Sequence, residues 1–226
     1  MRRSATAGRR LGLAVAAAAL AVMVCAGIAL ASAPIVGDAN NQYSAMDYTI
    51  NPGEVAQLQV TGSSHNATAH LTGPDGKALF RSPTISGGAA GVDGTQYLGA
   101  GNYTFFCTIH PSTMQATLHI TGNGTPQARP SATLGVKGKS LSKAIKKGLL
   151  VAINASTKIN GVTLTAKLGK TAIGKATLSL AAGAQSDRVK LNKAGKSKLR
   201  GKGTAKVSIV ADIPFGSPVT TKVKLS

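Results

Sequence analysis

The chain has 226 residues, of which 26 are Lys or Arg and only seven are Asp or Glu, so its formal net charge is +19. It has two cysteines, and Cys25 lies in an N-terminal segment that we expect to be removed, so an intramolecular disulfide is excluded and Cys107 remains as a single thiol. About 190 residues remain after that segment, a length that indicates one large domain or two small ones.

The first 31 residues have the pattern of an export signal. Four arginines among the first ten residues precede an apolar run over residues 11–33, and Ala29 and Ala31 provide small residues before the expected cleavage site. We therefore predict cleavage after Ala31 and an exported protein that is extracellular, cell-surface or periplasmic. The apolar run is also long enough to span a bilayer, for which about 20 residues suffice, so an uncleaved membrane anchor is the alternative.

Charge divides the rest of the chain into two parts. Residues 34–122 carry five acidic and two basic side chains, a net charge of −3, whereas residues 131–226 carry 19 basic and two acidic ones, a net charge of +17. The segment between them, residues 123–130, is rich in Gly, Pro and polar residues, which is typical of a linker. We therefore predict two domains, residues 40–122 and residues 131–226.

The first domain has the patterning of short β-strands. The segments MDYTI, VAQLQV, HNATAHL, NYTFFC and QATLHI alternate or are rich in strand-forming residues, and turn sequences at residues 51–54 and 73–76 separate some of them. Residues 82–94 are rich in Gly, Ser and Ala, and we predict a long crossing loop there. No segment has a convincing helical period, so the expected fold is a small β-sandwich.

Three residues with metal-binding side chains are close together where two of these strands meet. Cys107 ends the NYTFFC strand, His110 lies in the following loop, and Met114 begins the next strand, so the loop is held at both ends. Two His, one Cys and a weak axial Met form the ligand set of mononuclear electron-transfer copper, and His65 is the best candidate for the second imidazole. Each residue alone is more often an ordinary core or surface residue, but the four together favour copper.

These residues resemble the cupredoxins, the blue copper proteins that include plastocyanin, amicyanin and azurin. The stretches GAGNYTFFCTIHPSTM and NPGEVAQLQVTGSSHN carry the resemblance, which extends over about residues 46–120. It implies a Greek-key β-sandwich in which Asn66 supports the cysteine loop through Thr108, and it implies transfer of single electrons to a redox partner protein that docks near His110. The implied ligands of one copper ion are His65, Cys107, His110 and Met114. Ser64 and Ala116 replace the proline and the glycine that are common in the family.

An enzyme is not indicated. A multicopper oxidase or nitrite reductase needs further cupredoxin domains and paired histidines, and a Cys107 nucleophile with His110 as base has no orienting third residue or oxyanion loop beside it. We predict an electron-transfer protein without a small-molecule substrate. The alternatives are a non-redox binding or adhesion protein built on the same scaffold, and a copper storage or delivery protein. His70 and His119 match no ligand position, and we expect them to have surface or strand-packing roles.

The second domain also alternates, in the segments LLVAINA, GVTLTAKL, KATLSL, RVKL, AKVSIVAD and VTTKVKL, with two short helical turns that end at Gly148 and Gly201. Six or seven short strands indicate an immunoglobulin-like sandwich, and the stretch SLSKAIKKGLLVAI is similar to lysine-rich modules of that kind in secreted proteins.

The positive charge of the second domain indicates either a solvated lysine surface or attachment to anionic wall polymers, membrane headgroups or an acidic redox partner. Nucleic acid is not expected, because the protein is exported and Phe215 is the domain's single aromatic residue.

Overall fold

A computed structural model of the chain describes residues 33–226. The predicted export signal, its cleavage site and the alternative membrane anchor lie outside the described residues. Within residues 33–226 the regular structure is mainly β-strand, so the predicted all-β fold class is confirmed. No helix in this range is both long and apolar enough to cross a membrane.

The first sandwich, residues 33–122, has two sheets that enclose one hydrophobic core. In β3, for example, Ala56, Leu58 and Val60 are buried while the residues between them are exposed, which is the alternation of a strand with one face on a core. The strands are β1 (Ile35–Gly37), β2 (Asp47–Ile50), β3 (Ala56–Val60), β4 (Thr68–Ala69), β5 (Gly88–Val92), β6 (Gly101–Phe106) and β7 (Gln115–Ile120).

Successive strands of the first sandwich, from β1 to β6, alternate between its two sheets. One sheet has the order β1-β3-β5 and the other the order β2-β7-β6-β4. The pairs β1–β3 and β2–β7 are parallel, and the remaining pairs are antiparallel. This arrangement brings the end of β6 and the start of β7 to the same edge of the sandwich as the chain that precedes β4.

Two sequence predictions for the first sandwich are wrong in part. The predicted crossing loop contains β5, which has little β-branched sequence of its own and is held by antiparallel pairing with β3, from Ala56 opposite Val92 to Val60 opposite Gly88. The predicted HNATAHL strand is reduced to the two residues of β4. Leu71, the last residue of that segment, has 53% of its surface exposed.

The second sandwich, residues 131–226, has its own core and the sheet orders β12-β9-β8 and β11-β10-β13-β14. Its strands are β8 (Ala132–Lys137), β9 (Leu149–Ala155), β10 (Ile159–Leu168), β11 (Thr171–Leu180), β12 (Gly183–Val189), β13 (Ala205–Asp212) and β14 (Val219–Leu225). The predicted helical turns are α1 (Leu141–Lys147) and α2 (Lys193–Leu199), each with a side-chain cap at its start. The sequence pattern misses β8, and its RVKL strand lies at the end of β12.

Phe215 of the second sandwich contacts the first sandwich. Its backbone N–H donates to Asp75 Oδ2 at 3.0 Å, and the Arg81 guanidinium lies 4.0 Å from the centre of its ring. Arg81 also pairs with Asp75 at 2.8 Å, so the three residues form one cluster, which we call the clasp. Phe215 has φ 61°, a conformation that costs a non-glycine residue free energy and that the clasp contacts hold in place.

The clasp perturbs the acidity of Asp75. Burial alone would raise the pKa of this carboxyl, but hydrogen bonds from the N–H of Phe215, from Arg81 and from the N–H of Lys77 outweigh burial and lower its pKa below the ordinary value. Asp75 is therefore a carboxylate at neutral pH, and its charge is held by groups from both sandwiches.

Candidate metal centre

A tight loop closes the end of β6 onto the start of β7. The N–H of Cys107 donates to the carbonyl of Met114 at 3.0 Å, and the N–H of Met114 donates to the carbonyl of His110 at 2.9 Å. Cys107 and Met114 are fully buried and belong to the core of the first sandwich. The loop therefore has a fixed shape that is set by its own backbone and anchored in the core.

His65 lies beside the Cys107–Met114 loop, at the same edge of the first sandwich. It forms a two-way backbone bridge with Ile85, at 2.9 and 3.0 Å, and its side chain is fully buried. Its Nε2 lies 2.8 Å from the carbonyl oxygen of Asp38 and 3.0 Å from the Ser63 hydroxyl. Because a carbonyl can only accept, Nε2 carries the ring proton, and the lone pair is left on Nδ1, which faces Cys107.

Three potential ligand atoms converge. The Sγ of Cys107 is 4.0 Å from Nδ1 of His65 and 3.9 Å from Nδ1 of His110, and all three atoms lie within 4.8 Å of one another. The two imidazole rings meet edge to face, with their centroids 5.1 Å apart. Among the described residues, this is the one group of three or more His, Cys, Asp or Glu side chains with such spacing.

The separations fit one metal ion. A point equidistant from three atoms so arranged lies about 2.2–2.5 Å from each, close to metal–sulfur and metal–nitrogen bonds of about 2.3 and 2.0 Å. The chemistry of the donors agrees, because a thiol, two imidazoles and a buried thioether together suit copper better than a hard cation. The residues present therefore fit a copper ion.

Asn66 links the two halves of the site. Its amide Nδ2 donates to the hydroxyls of Thr108 and Thr84, at 2.7 and 2.9 Å, and its Oδ1 accepts from the backbone N–H of Thr108 at 3.0 Å. The Asn66 side chain is buried, whereas Thr108 is exposed. Asn66, which follows His65, therefore holds Thr108, which follows Cys107. The resemblance to cupredoxins implies this arrangement.

A segment that sequence reasoning missed completes the site. The strap, residues 37–43, lies against His65: a Cβ atom on Gly37 would be 2.8 Å from the imidazole Cδ2, so only glycine fits there without displacement. The Tyr43 hydroxyl donates to the carbonyl of Asn66 at 2.6 Å. Burial, together with the nearby Cys107, raises the pKa of Tyr43, so this phenol keeps its proton. The strap has no alternation or motif that could have signalled this role.

The strap also connects His65 to the Cys107–Met114 loop. The Ser63 hydroxyl, which contacts Nε2 of His65, donates to Oδ1 of Asn41 at 2.8 Å. The backbone carbonyl of Asn41 accepts from the Thr113 hydroxyl at 3.2 Å, and Asn41 has φ 60°. A continuous hydrogen-bonded chain therefore joins both sides of the candidate metal centre.

The other two described histidines lie elsewhere. His70 is exposed and stacks on Phe106 with a centroid separation of 4.5 Å. His119 bridges Asn102 and Asp47 on the outer face of a sheet, at 2.7 and 2.8 Å. Neither contributes to the candidate metal centre, as the sequence indicates.

Comparison with protein-family models finds no match, and comparison with curated proteins finds none either. Solved structures do match. They include cupredoxins. A reduced amicyanin mutant is 24% identical over 38% of this chain and 81% of its own, with a TM-score of 0.31. Amicyanin from Paracoccus versutus is 25% identical over 38% of this chain and 80% of its own, with a TM-score of 0.31. A purple cupredoxin from Nitrosopumilus maritimus is 21% identical over 39% of this chain and 99% of its own, with a TM-score of 0.32.

The cluster of His65, Cys107, His110 and Met114 is typical of a type 1 copper site, and the predicted resemblance to cupredoxins is confirmed. The immunoglobulin-like assignment of the second sandwich and the predicted domain boundaries stay predictions.

Proposed function

We propose that this protein carries single electrons through one type 1 copper ion, held by Cys107, His65, His110 and the axial Met114. The observation that carries the proposal is the convergence of the Cys107 sulfur and two imidazole Nδ1 atoms within 4.8 Å. A bound copper ion would supply the chemistry by alternating between Cu(I) and Cu(II).

The surroundings of the ligands suit this role, because they resist movement. The backbone bonds of the Cys107–Met114 loop, the Asn66 side chain and the strap fix the loop and His65 independently of any metal. A site that keeps one geometry has little to rearrange when an electron arrives or leaves, which favours fast transfer.

His110 is the proposed point of electron exchange. The other three ligand side chains are fully buried, whereas His110 is partly exposed. Its neighbour Ile109 has 46% of its surface exposed and Pro111 is exposed too, so an apolar rim lies beside the imidazole. We propose that a redox partner protein docks on this rim. The two proteins would meet outside the cytoplasm, because the predicted export signal directs the chain there.

Visible spectroscopy tests the proposal. Adding Cu(II) to the purified protein should produce an intense thiolate-to-copper absorption band, which a mild reductant bleaches and an oxidant restores. Cys107→Ser should abolish the band without unfolding the protein. A protein that stays colourless, with a freely titratable Cys107 thiol, would overturn the carrier function and favour the adhesion scaffold. A band that disappears within minutes when a competing chelator is added would instead favour copper storage or delivery.

A further inference from the structure

The second sandwich has a cationic hollow, which we define as the depression of about 430 Å³ lined by Lys137, Lys139, Lys143, Lys147 and Arg188. We infer that this hollow binds a water-soluble polymer of phosphodiesters, of the kind represented by poly(glycerol phosphate), and so attaches the protein to an anionic wall. The inference concerns the second sandwich and does not depend on copper binding.

The fold brings together four of the cations from β8, α1 and β12, and Lys139 from the segment between β8 and α1. Lys137 of β8 and Arg188 of β12 both pair with Leu150 of β9, so the two side chains lie on the same face of the sheet, about 10 Å apart across three strands. Lys143 and Lys147 are four residues apart on α1, which places them on one side of that helix. Four of the five cations lie within residues 137–147, and the fold adds Arg188 from the other edge of the sheet.

These charges are uncompensated. In the part of the chain that the structure describes, the ion pairs are those of Arg81 and His119, both in the first sandwich. Asp187 precedes Arg188 but pairs with Val151, so it lies on the opposite face of its strand, and Asp212 lies in the other sheet. Like charges four residues apart on a helix repel each other, so an anion bound beside Lys143 and Lys147 would relieve that repulsion.

The residue types suit a phosphate ligand. Of the 19 basic residues in residues 131–226, 17 are Lys. An ammonium group is a compact point charge that binds phosphate oxygens without requiring a paired geometry, so a hollow lined mostly by Lys suits successive phosphodiesters of single negative charge. Lys137 also lines an adjoining open trough of about 450 Å³, with Thr133, Asn154 and Ser186 along it, so an extended ligand has room to continue beyond the hollow.

A membrane surface fits less well. Proteins that lie on a bilayer insert apolar or aromatic side chains between the headgroups. The large apolar residues that are exposed among residues 33–226, namely Met46, Val55, Leu71 and Ile109, all belong to the first sandwich. The single aromatic residue of the second sandwich, Phe215, is engaged in the clasp. The charged hollow therefore suits a polymer in water.

Binding of purified protein to poly(glycerol phosphate), measured by calorimetry at several salt concentrations, tests the inference. The hollow variant replaces Lys137, Lys139, Lys143, Lys147 and Arg188 by Gln. The control variant removes the same charge from exposed lysines outside the hollow, replacing Lys158, Lys170, Lys175, Lys193 and Lys202 by Gln. We expect the hollow variant to bind at least about tenfold more weakly than the control variant, with a shallower dependence of log Kd on log salt.

Several results would overturn the inference. Equal losses in the two variants would show that the charge acts diffusely over the whole surface. Tighter binding to phosphatidylglycerol vesicles, or to duplex DNA at matched phosphate concentration, would assign the hollow to a membrane or to nucleic acid.

Thermal unfolding of both variants checks that they fold. A third variant with Arg at the four Lys positions should keep the affinity, since it keeps the charge.

Discussion

The Nε2 atom of His65 donates its proton to the backbone carbonyl of Asp38, 2.8 Å away. This one contact decides which ring nitrogen faces Cys107, because a proton on Nε2 leaves the lone pair on Nδ1. The carbonyl belongs to the strap, which contains none of the proposed ligands. The candidate metal centre is therefore built partly by residues with no metal-binding chemistry, and these residues offer the sharpest tests of its design.

Gly37→Ala should damage the site without replacing any of the proposed ligands. The new Cβ would lie 2.8 Å from Cδ2 of His65, and the buried ring, held by Asp38 and Ser63, cannot move aside freely. We expect a loss of about 1–3 kcal/mol in the free energy of unfolding, which is typical of overpacking, and a weaker, shifted copper band. Urea denaturation and visible absorption measure the two effects.

Gly87→Ala is the matched control, because a Cβ there meets no atom within 4 Å. Its stability and spectrum should equal those of the parent protein. Equal behaviour of the two alanine variants would mean that the strap does not press on His65.

Asn66→Ala should loosen the loop of Cys107. It removes two donated bonds and two accepted bonds, the accepted ones coming from the N–H of Thr108 and the hydroxyl of Thr68. We expect a loss of about 2–4 kcal/mol in the free energy of unfolding, because each of the four bonds contributes about 1 kcal/mol. The exposed Asn123→Ala serves as control. A copper band unchanged by Asn66→Ala would argue against a supporting role.

The ligand set could be predicted from the sequence because its information is local. Cys107, His110 and Met114 lie in one short stretch between two alternating segments, and His65 with Asn66 forms a recognisable pair. The metal-binding chemistry of these side chains follows from their residue types. The strands that position them have the expected period of two.

The strap, β5 and the clasp could not be predicted, since their roles arise only from tertiary contacts. The strap acts through backbone atoms and through the missing side chain of Gly37, neither of which produces a sequence pattern. The strand β5 is rich in Gly and Ala and takes its conformation from β3. Phe215 is a single aromatic residue in a lysine-rich domain, and nothing near it in the sequence indicates Asp75 or Arg81 as partners.

The clasp should make stability depend on pH in acid. The folded-state pKa of Asp75 lies below its ordinary value of 3.8, so its contribution is fully present above about pH 5 and is lost as the pH falls through the folded-state pKa. Asp75→Asn should therefore cost about 1–3 kcal/mol at pH 7, and the difference from the parent protein should shrink below pH 4. Unfolding free energies between pH 3 and pH 7 measure it. The control is the exposed Asp93→Asn, which removes the same charge outside the clasp.

Phe215→Ala should separate the two sandwiches more easily. It removes the ring that contacts Arg81 at 4.0 Å and that packs near Tyr97, with centroids 6.1 Å apart. A cation–π contact of this kind is worth about 0.5–1 kcal/mol, to which the lost apolar contact adds. We expect faster proteolysis within residues 123–130, with the copper band unchanged because the site lies in the first sandwich. Leu71→Ala, at an exposed position, should leave the proteolysis rate unaltered.

Ile109→Glu should slow electron exchange without altering the metal site. Ile109 is 46% exposed beside His110, and a carboxylate there must be desolvated whenever two proteins meet at that imidazole. The rate of electron self-exchange between reduced and oxidised copies, measured by NMR line broadening, requires no knowledge of the natural partner. We expect it to fall by about tenfold or more while the absorption band stays in place.

Val55→Glu is the control for this experiment, because Val55 is also exposed, at 37%, and lies outside the loop of His110. It introduces the same charge, so it separates a local effect from a change in net charge. If both variants slowed exchange equally, or if neither did, electrons would not cross at His110, and the proposed docking rim would have to be abandoned.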